Sequence, residues 1–381
     1  MEYYFDYAAT TQVALEVTDG IKNLLNEVYG NPSSLHSKGV EAEKYIKGSR
    51  RTLAKIIGGK ENEIIFTSGG TESNNLAILG TIPQNRKGRL ITSSIEHPSV
   101  LEVFKHLAGK GYDVVFLPVD ANGVIQYDVF KEALTQDTLM VSVMHVNNEM
   151  GAIQPIEAMA SEIKKFNTAH NSRILFHVDG VQAFGKYLIP KGIDLYSFSG
   201  HKIHGLKGAG GLFVKSGTSI RPLVYGGAQE FSIRPGTENI IGITALGIAS
   251  ELAYAKRKSS LTHLAEIQSK LETIFLKDGD CIINSKQGAP HILNVSFLGV
   301  KSEVMLHSLE MEGIYVSSGS ACSSKKKTGS HVLKAIGLTD AQIDSAIRIS
   351  YGNDTDIESA ESVAHKMLEI AEKLRKIMRR T

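Results

Sequence analysis

Cysteine is almost missing: 381 residues hold only Cys281 and Cys322. Two thiols exclude a disulfide framework and a Cys-built zinc site. A reducing, cytoplasmic setting is therefore expected, and there the Asn294-Val295-Ser296 sequon has no chemistry to perform. Long apolar runs are also missing. No stretch approaches the roughly 18 residues of a membrane span. The start, Met1-Glu2-Tyr3-Tyr4-Phe5-Asp6, lacks the basic and apolar regions of a signal peptide. An excess of one charge is absent too. Lys and Arg number 42 against 40 Asp and Glu, a net +2, so direct nucleic-acid binding is not expected. No repeat or low-complexity segment stands out. What is present is ordinary for a globular protein: 42% hydrophobic and 22% charged residues. The length is too great for one core to serve, so two domains are expected.

Between about residues 60 and 215, short apolar runs alternate with helical stretches. Candidate strands are Ile64–Thr67, Leu90–Ser93, Val114–Leu117, Leu139–His145, Ile174–Asp179, Leu195–Phe198 and Gly211–Val214. Several are apolar on both faces, as buried parallel strands tend to be. Ile156–Asn167 reads as one of the helices between them. The pattern predicts an α/β sheet covered by helices. After about Thr244 the style changes. Ile248–Phe275 reads as helical, and Ile292–Phe297 and Gly313–Ser317 as strands. Ile357, Ala360, Val363, Met367, Ile370, Leu374 and Ile377 recur at helical spacing. Thr355 or Asp356 can cap that last helix, and Arg375, Lys376, Arg379 and Arg380 suit its C-terminal dipole.

Four segments carry chemistry. Phe66-Thr-Ser-Gly-Gly-Thr-Glu-Ser-Asn-Asn75 joins a strand to a helix, and such a junction can bind an anion. Gly69 and Gly70 admit a close backbone approach, though a plain helix cap would look the same. Asp179 ends a buried strand, the edge where open α/β sheets meet ligands. On its own it reads first as a structural Asp capping the next helix. Lys202 sits among small residues in Ser197-Phe-Ser-Gly-His-Lys-Ile-His-Gly205. In a confined site it could lose its proton and act as a Schiff-base nucleophile; otherwise it is a surface lysine. A nucleotide P-loop fits poorly, because Leu206-Lys207 follows where Lys-Ser/Thr is needed. Ser317-Ser-Gly-Ser-Ala-Cys-Ser-Ser324 is too small-sided to pack a core and reads as a mobile exposed loop. Lys325, Lys326 and Lys327 follow, and their field favours a Cys322 thiolate. Cys281, beside Ile282 and Ile283, reads as structural.

Together these residues resemble the NifS/IscS-like cysteine desulfurases, class V relatives among the fold-type I pyridoxal-phosphate (PLP) enzymes. The resemblance runs nearly end to end. It also includes Tyr7-Ala-Ala-Thr-Thr11, Gly30-Asn-Pro-Ser-Ser-Leu-His36, Glu96-His-Pro98, Val146-Asn-Asn-Glu-Met-Gly151 and Arg234-Pro-Gly-Thr-Glu-Asn239. It implies a large domain, residues 14–255, with a mainly parallel seven-stranded sheet. A smaller α+β domain, residues 1–13 and 256–381, would carry the Cys322 loop.

The resemblance also implies roles. Lys202 would hold PLP, and Asp179 would keep its pyridine nitrogen protonated. His97 would stack on the ring and move protons, and Gln182 would meet the ring hydroxyl. Gly70, Thr71, Ser199 and His201 would hold the phosphate, with Thr237 reaching the phosphate of the neighbour in a homodimer. Arg348 and Asn31 would contact substrate, and Asn148 the substrate or the ring hydroxyl. L-Cysteine would become L-alanine, its sulfur leaving as a persulfide on Cys322 for an acceptor protein in iron–sulfur, tRNA or thiamine sulfur chemistry. No metal is implied.

Three departures matter. Gly180 stands where the family has alanine, which suggests slack beside the ring and a tolerated Gly180→Ala. Lys325-Lys326-Lys327 replaces a Leu-Glu-Pro-like stretch; it reads first as a solvated charge run, with docking of an acidic partner or a tRNA-bound sulfur carrier as the alternative. The chain ends soon after its last helix, which weighs against general iron–sulfur assembly. Competing readings are another PLP enzyme, such as a selenocysteine lyase or an aminotransferase, and a silent PLP-fold scaffold. An aminotransferase needs no thiol like Cys322. An intact Lys202, Asp179, His97 and Cys322 argue against the scaffold.

Overall fold

The computed structural model of the chain describes residues 2–319 and 329–378. Cys322 and Lys325 to Lys327, like Arg379 and Arg380, lie outside them. Twelve strands occur among the described residues: β1 (Tyr3–Tyr4), β2 (Ile64–Thr67), β3 (Arg89–Ser93), β4 (Asp113–Leu117), β5 (Thr138–Met144), β6 (Leu175–Asp179), β7 (Leu195–Ser199), β8 (Gly210–Val214), β9 (Cys281–Ile283), β10 (Ile292–Phe297), β11 (Ile314–Tyr315) and β12 (Ala346–Ser350).

A seven-stranded sheet in the order β2-β8-β7-β6-β5-β3-β4 forms the centre. Only β8 runs against its neighbours, so six strands point one way. All seven lie within a residue or so of the predicted runs, because strands covered on both faces must be apolar throughout. One polar exception ties the middle together. His177 on β6 bonds Ser142 on β5 at 2.7 Å and Ser197 on β7 at 3.0 Å. Burial pushes this imidazole down to about 3, so it stays neutral. Helices Gly70–Thr81, Pro98–Gly109 and Ile156–His170 connect the strands.

The second core gathers around a three-stranded antiparallel sheet, β12-β10-β9. The N-terminal segment joins it. β1 pairs in parallel with β11, and Ser350 N donates to Phe5 O at 2.8 Å. The helix Ile240–Phe275 serves both cores. Ile243, Ala245, Leu246 and Ala249 pack into the first; Leu264, Ile267, Leu271 and Phe275 pack into the second.

Several predicted bounds change. That helix starts at Ile240, capped by Asn239 accepting from Gly242 N at 3.0 Å, rather than at Ile248. The strand expected over Gly313–Ser317 shrinks to Ile314–Tyr315, with Ser317 making a single bridge to Arg348. β9 and β12 were not singled out as strands. Asp356, not Thr355, caps the last helix, Ile357–Met378, accepting from Ser359 N at 2.7 Å. Arg375 does not serve the helix dipole from solvent. It turns inward to Asp278 at 2.7 Å and Leu298 O at 2.9 Å. Ile377 stays 60% exposed although the apolar stripe includes it.

Candidate active site

The carboxyl ends of β2, β3, β5, β6 and β7 open on one cavity of about 220 Å³, the edge where an open α/β sheet meets its ligands. Each turn delivers a named group: Gly70 and Thr71 after β2, His97 and Ser99 after β3, Asn148 after β5, Asp179 and Gln182 at and after β6, and Ser199, His201 and Lys202 at and after β7. Arg348 comes from β12, and Ala8 and Ala9 from the N-terminal segment. Ten of the thirteen expected site residues thus share one wall. Asn31 and Thr237 are exposed and are not in it. Cys322 lies outside the described residues.

The turn after β2 is built for close approach. Gly69 has φ +153° and ψ −173°, backbone that side chains rarely adopt. A Cβ on Gly70 would fall 2.5 Å from Val181 Cγ2. The helix Gly70–Thr81 therefore begins at the cavity wall, with its unpaired N–H groups and positive dipole end there. Ser199 Oγ beside it is buried and has no protein partner. His201 bonds Thr10 Oγ1 at 3.2 Å, and burial with the Lys202 and Lys207 charges pushes it down to about 4.

Lys202 Nζ donates to Ala8 O at 2.6 Å and Ala9 O at 2.7 Å. Gln182 Nε2 donates to the same Ala8 O at 2.8 Å. Asp179, 5% exposed, accepts from Val181 N at 3.0 Å and from Asn74 Nδ2 at 2.7 Å. Asn74 Nδ2 also donates to Ser99 Oγ at 2.8 Å, and Ser99 Oγ lies 2.8 Å from His97 Nδ1. A hydrogen-bonded chain thus joins Asp179 to His97. Ser99 N also donates to His97 Nδ1 at 3.1 Å, which assigns the neutral ring its proton on Nε2. Burial first, then Lys202 and His331, holds His97 below its ordinary value against the pull of Asp179.

Asn74 and Ser99 were not singled out from sequence. The available signal was spacing: Asn74 lies one helical turn after Gly70 and so shares its face. Arg348, 1% exposed, donates to Asp6 Oδ1 at 2.7 Å and Asn148 O at 3.0 Å, while its Nε has no protein partner. Asp6 carries no local sequence signal of this role.

One expectation is overturned. Gly180 leaves no slack. A Cβ there would fall 2.0 Å from Tyr196 Cζ and 2.2 Å from Cε1, and Tyr196 is fully buried. The missing methyl is room already taken by that ring, so Gly180→Ala is not tolerated as expected.

A model of the class-V aminotransferases matches residues 3–363. The chain belongs to that family. Within it, the chain is 41% identical over 384 residues to a protein named cysteine desulfurase IscS from Dictyoglomus turgidum, covering 99% of this chain and 96% of that one. A solved structure described as a NifS-like protein superposes with a TM-score of 0.91 at 36% identity, over 98% of this chain and all of that one. Another, described as SspA in complex with cysteine, gives 0.80 at 36%, over 92% and 99%. The family is PLP-dependent, and the fold is fold-type I. The cavity fits that cofactor. An amine, a fixed buried carboxylate, and a helix N-terminus with an orphaned hydroxyl answer its aldehyde, ring nitrogen and phosphate. No helix among the described residues is long and apolar enough to cross a membrane.

Proposed function

We propose that this chain is a desulfurase converting L-cysteine to L-alanine and passing the sulfur to Cys322 as a persulfide. The observation that carries the reading is the meeting of the Lys202 amine, the Asp179 carboxylate and the Gly70 helix start in one cavity. Lys202 would hold PLP, Asp179 would pair with its ring nitrogen, and Gly70 N–H, Thr71, Ser199 and His201 would hold its phosphate. Gln182 and Asn148 would meet the ring hydroxyl. When bound, PLP supplies an electron sink for breaking bonds at the substrate α-carbon.

The chain's own groups do the rest. Lys202 takes and returns protons at Nζ. His97 is neutral, lines the cavity and offers its Nε2–H as a hydrogen-bond donor. Arg348 has a spare Nε–H for the substrate carboxylate, and Asn31 would assist. In the net step the substrate C–S bond breaks and an S–S bond forms on Cys322, so cysteine plus thiol gives alanine plus persulfide. The described residues on either side of the Cys322 segment are tied near site residues: Ser317 N and O pair with the backbone of Arg348, and Ser330 Oγ bonds Glu149, the neighbour of Asn148, at 2.5 Å.

The division into residues 14–255 and residues 1–13 with 256–381 follows the same reading. So does a homodimer. Leu35, Tyr225, Tyr29 and Val224 are 98, 85, 74 and 67% exposed, an apolar load that a second copy would cover, and Thr237 is exposed away from its own cavity. The sulfur acceptor is an iron–sulfur scaffold or a sulfurtransferase of tRNA or thiamine chemistry, and a cytoplasmic setting keeps Cys322 reduced.

Purified protein tests this directly. It should be yellow and release alanine and sulfide from cysteine with a reductant. Lys202→Ala should lose the borohydride-reducible colour. Cys322→Ser should keep the colour and stop sulfide release. A Cys322→Ser variant that releases sulfide at the wild-type rate would end the persulfide reading.

A further inference from the structure

Behind Lys202 lies a second cavity, about 50 Å³, whose wall includes Lys186, Lys202, His204, Ser260, His291 and Tyr351. Three polar atoms of that wall have no protein partner: His291 Nδ1, His291 Nε2 and the Tyr351 hydroxyl. His291 is 2% exposed and Tyr351 1%. A buried polar atom left unpaired is destabilising, so three together mark a place where something polar enters. β-Register brings the two residues together: Tyr351 N donates to His291 O at 3.3 Å beside the β10–β12 pair. The space is too small for substrate. At roughly 10–15 Å³ per water it suits about four.

Lys186 lines both this cavity and an outer cleft of about 530 Å³ that also includes His145, Tyr187 and Arg257. Its Nζ donates to the Lys202 carbonyl at 3.2 Å. Burial brings the Lys186 amine down to about 8. Burial and the Lys186 charge hold His291 far below its ordinary value. A neutral His291 has one N–H and one lone pair, the pair of functions a proton hand-over needs.

We propose that the rear cavity holds a chain of ordered water that passes protons between Lys202 and the outer cleft by way of His291, Tyr351 and Lys186. Lys202 belongs to the walls of both the front and the rear cavities. In the proposed relay Lys202 exchanges protons with solvent through the rear cavity while substrate fills the front. Each hand-over breaks one N–H or O–H bond and makes another. One proton enters at one end and one leaves at the other, with no redox change. The proposal rests on reading Lys202 as the working amine.

Crystals of the apoprotein should show ordered waters bridging His291, Tyr351 and Lys186. A dry rear cavity overturns the proposal whatever the activity. In the holoenzyme, Lys186→Met and His291→Gln should keep the chromophore and the KM for cysteine. Their kcat should fall about tenfold, with a larger solvent deuterium isotope effect. A kcat within about twofold of wild type in both variants, set against the tenfold shift of ~1.4 kcal/mol, refutes the relay. Loss of the chromophore in Lys186→Met also refutes it, because the wall would then be holding Lys202 rather than passing protons. Colourless wild-type protein would instead refute the reading of Lys202, and the crystallographic arm keeps the two failures apart.

Discussion

The central sheet and the three-stranded sheet β12-β10-β9 meet at one cavity but are made differently. The central sheet contributes turns after parallel strands, each following its strand by a few residues. The smaller sheet contributes one side chain, Arg348, whose partners Asp6 and Asn148 lie 342 and 200 residues away. Local strand chemistry assembles the first set of groups, and only long-range packing assembles the second. Substitutions in the two regions should therefore fail in different ways.

The largest effect should come from the central sheet without unfolding it. Asp179→Asn removes a buried charge that faces the cofactor nitrogen in the proposed reading. Losing a charge-assisted bond of about 3 kcal/mol should lower kcat about a hundredfold, and thermal unfolding should stay close to wild type. A parallel collapse of stability would erase the contrast.

Next comes Gly180→Ala, which drives a methyl into the Tyr196 ring. Overpacking of this kind should cost about 2–3 kcal/mol in urea unfolding. Adding Tyr196→Leu should recover most of that loss, and simple additivity of the two changes would show that the ring is not the obstacle.

For the smaller sheet, Asp6→Ala strips Arg348 of its carboxylate. Asp6 is part-exposed, at 19% for its side chain against 1% for Arg348. The cost should thus fall below that of a fully buried pair, at about 2 kcal/mol. KM for cysteine should rise as the guanidinium loses its orientation, and an unchanged KM would detach Arg348 from substrate.

The smallest effect concerns Glu96, which accepts from Ser93 Oγ at 2.5 Å and Met144 N at 3.0 Å. Burial, with the Asp179 charge adding, pushes its carboxyl up to about 8. The folded protein then holds a proton that the unfolded chain has released. Stability from this group is whole below the ordinary carboxylate value and is lost as pH rises towards 8. Glu96→Gln cannot ionise. Its Tm should match wild type near pH 4 and exceed it by about 3 °C at pH 9; a constant gap across that range would count against a proton on Glu96.

The central strands were readable because burial on both faces forces continuous apolar runs. Lys202, Asp179 and His97 were readable because each follows such a run in a distinctive segment. β9 and β12 were less readable. β9 is only 3 residues long although it pairs with the neighbouring β10, and β12, of 5 residues, has its partner far back in the sequence, so no local pattern separates them from loop. Asn74 and Ser99 look like ordinary helix-start residues until the Asp179–Asn74–Ser99–His97 chain brings them together.

By itself the sequence determined which chemistry the chain could attempt: an amine, a carboxylate, an imidazole and a thiol, each in a segment whose local backbone preferences are strong. Tertiary structure alone decided that Gly180 is filled by Tyr196, that Arg348 answers to Asp6, and that His291 and Tyr351 share a polar cavity behind Lys202. Those facts depend on distances between side chains far apart along the chain, and no local pattern encodes a distance.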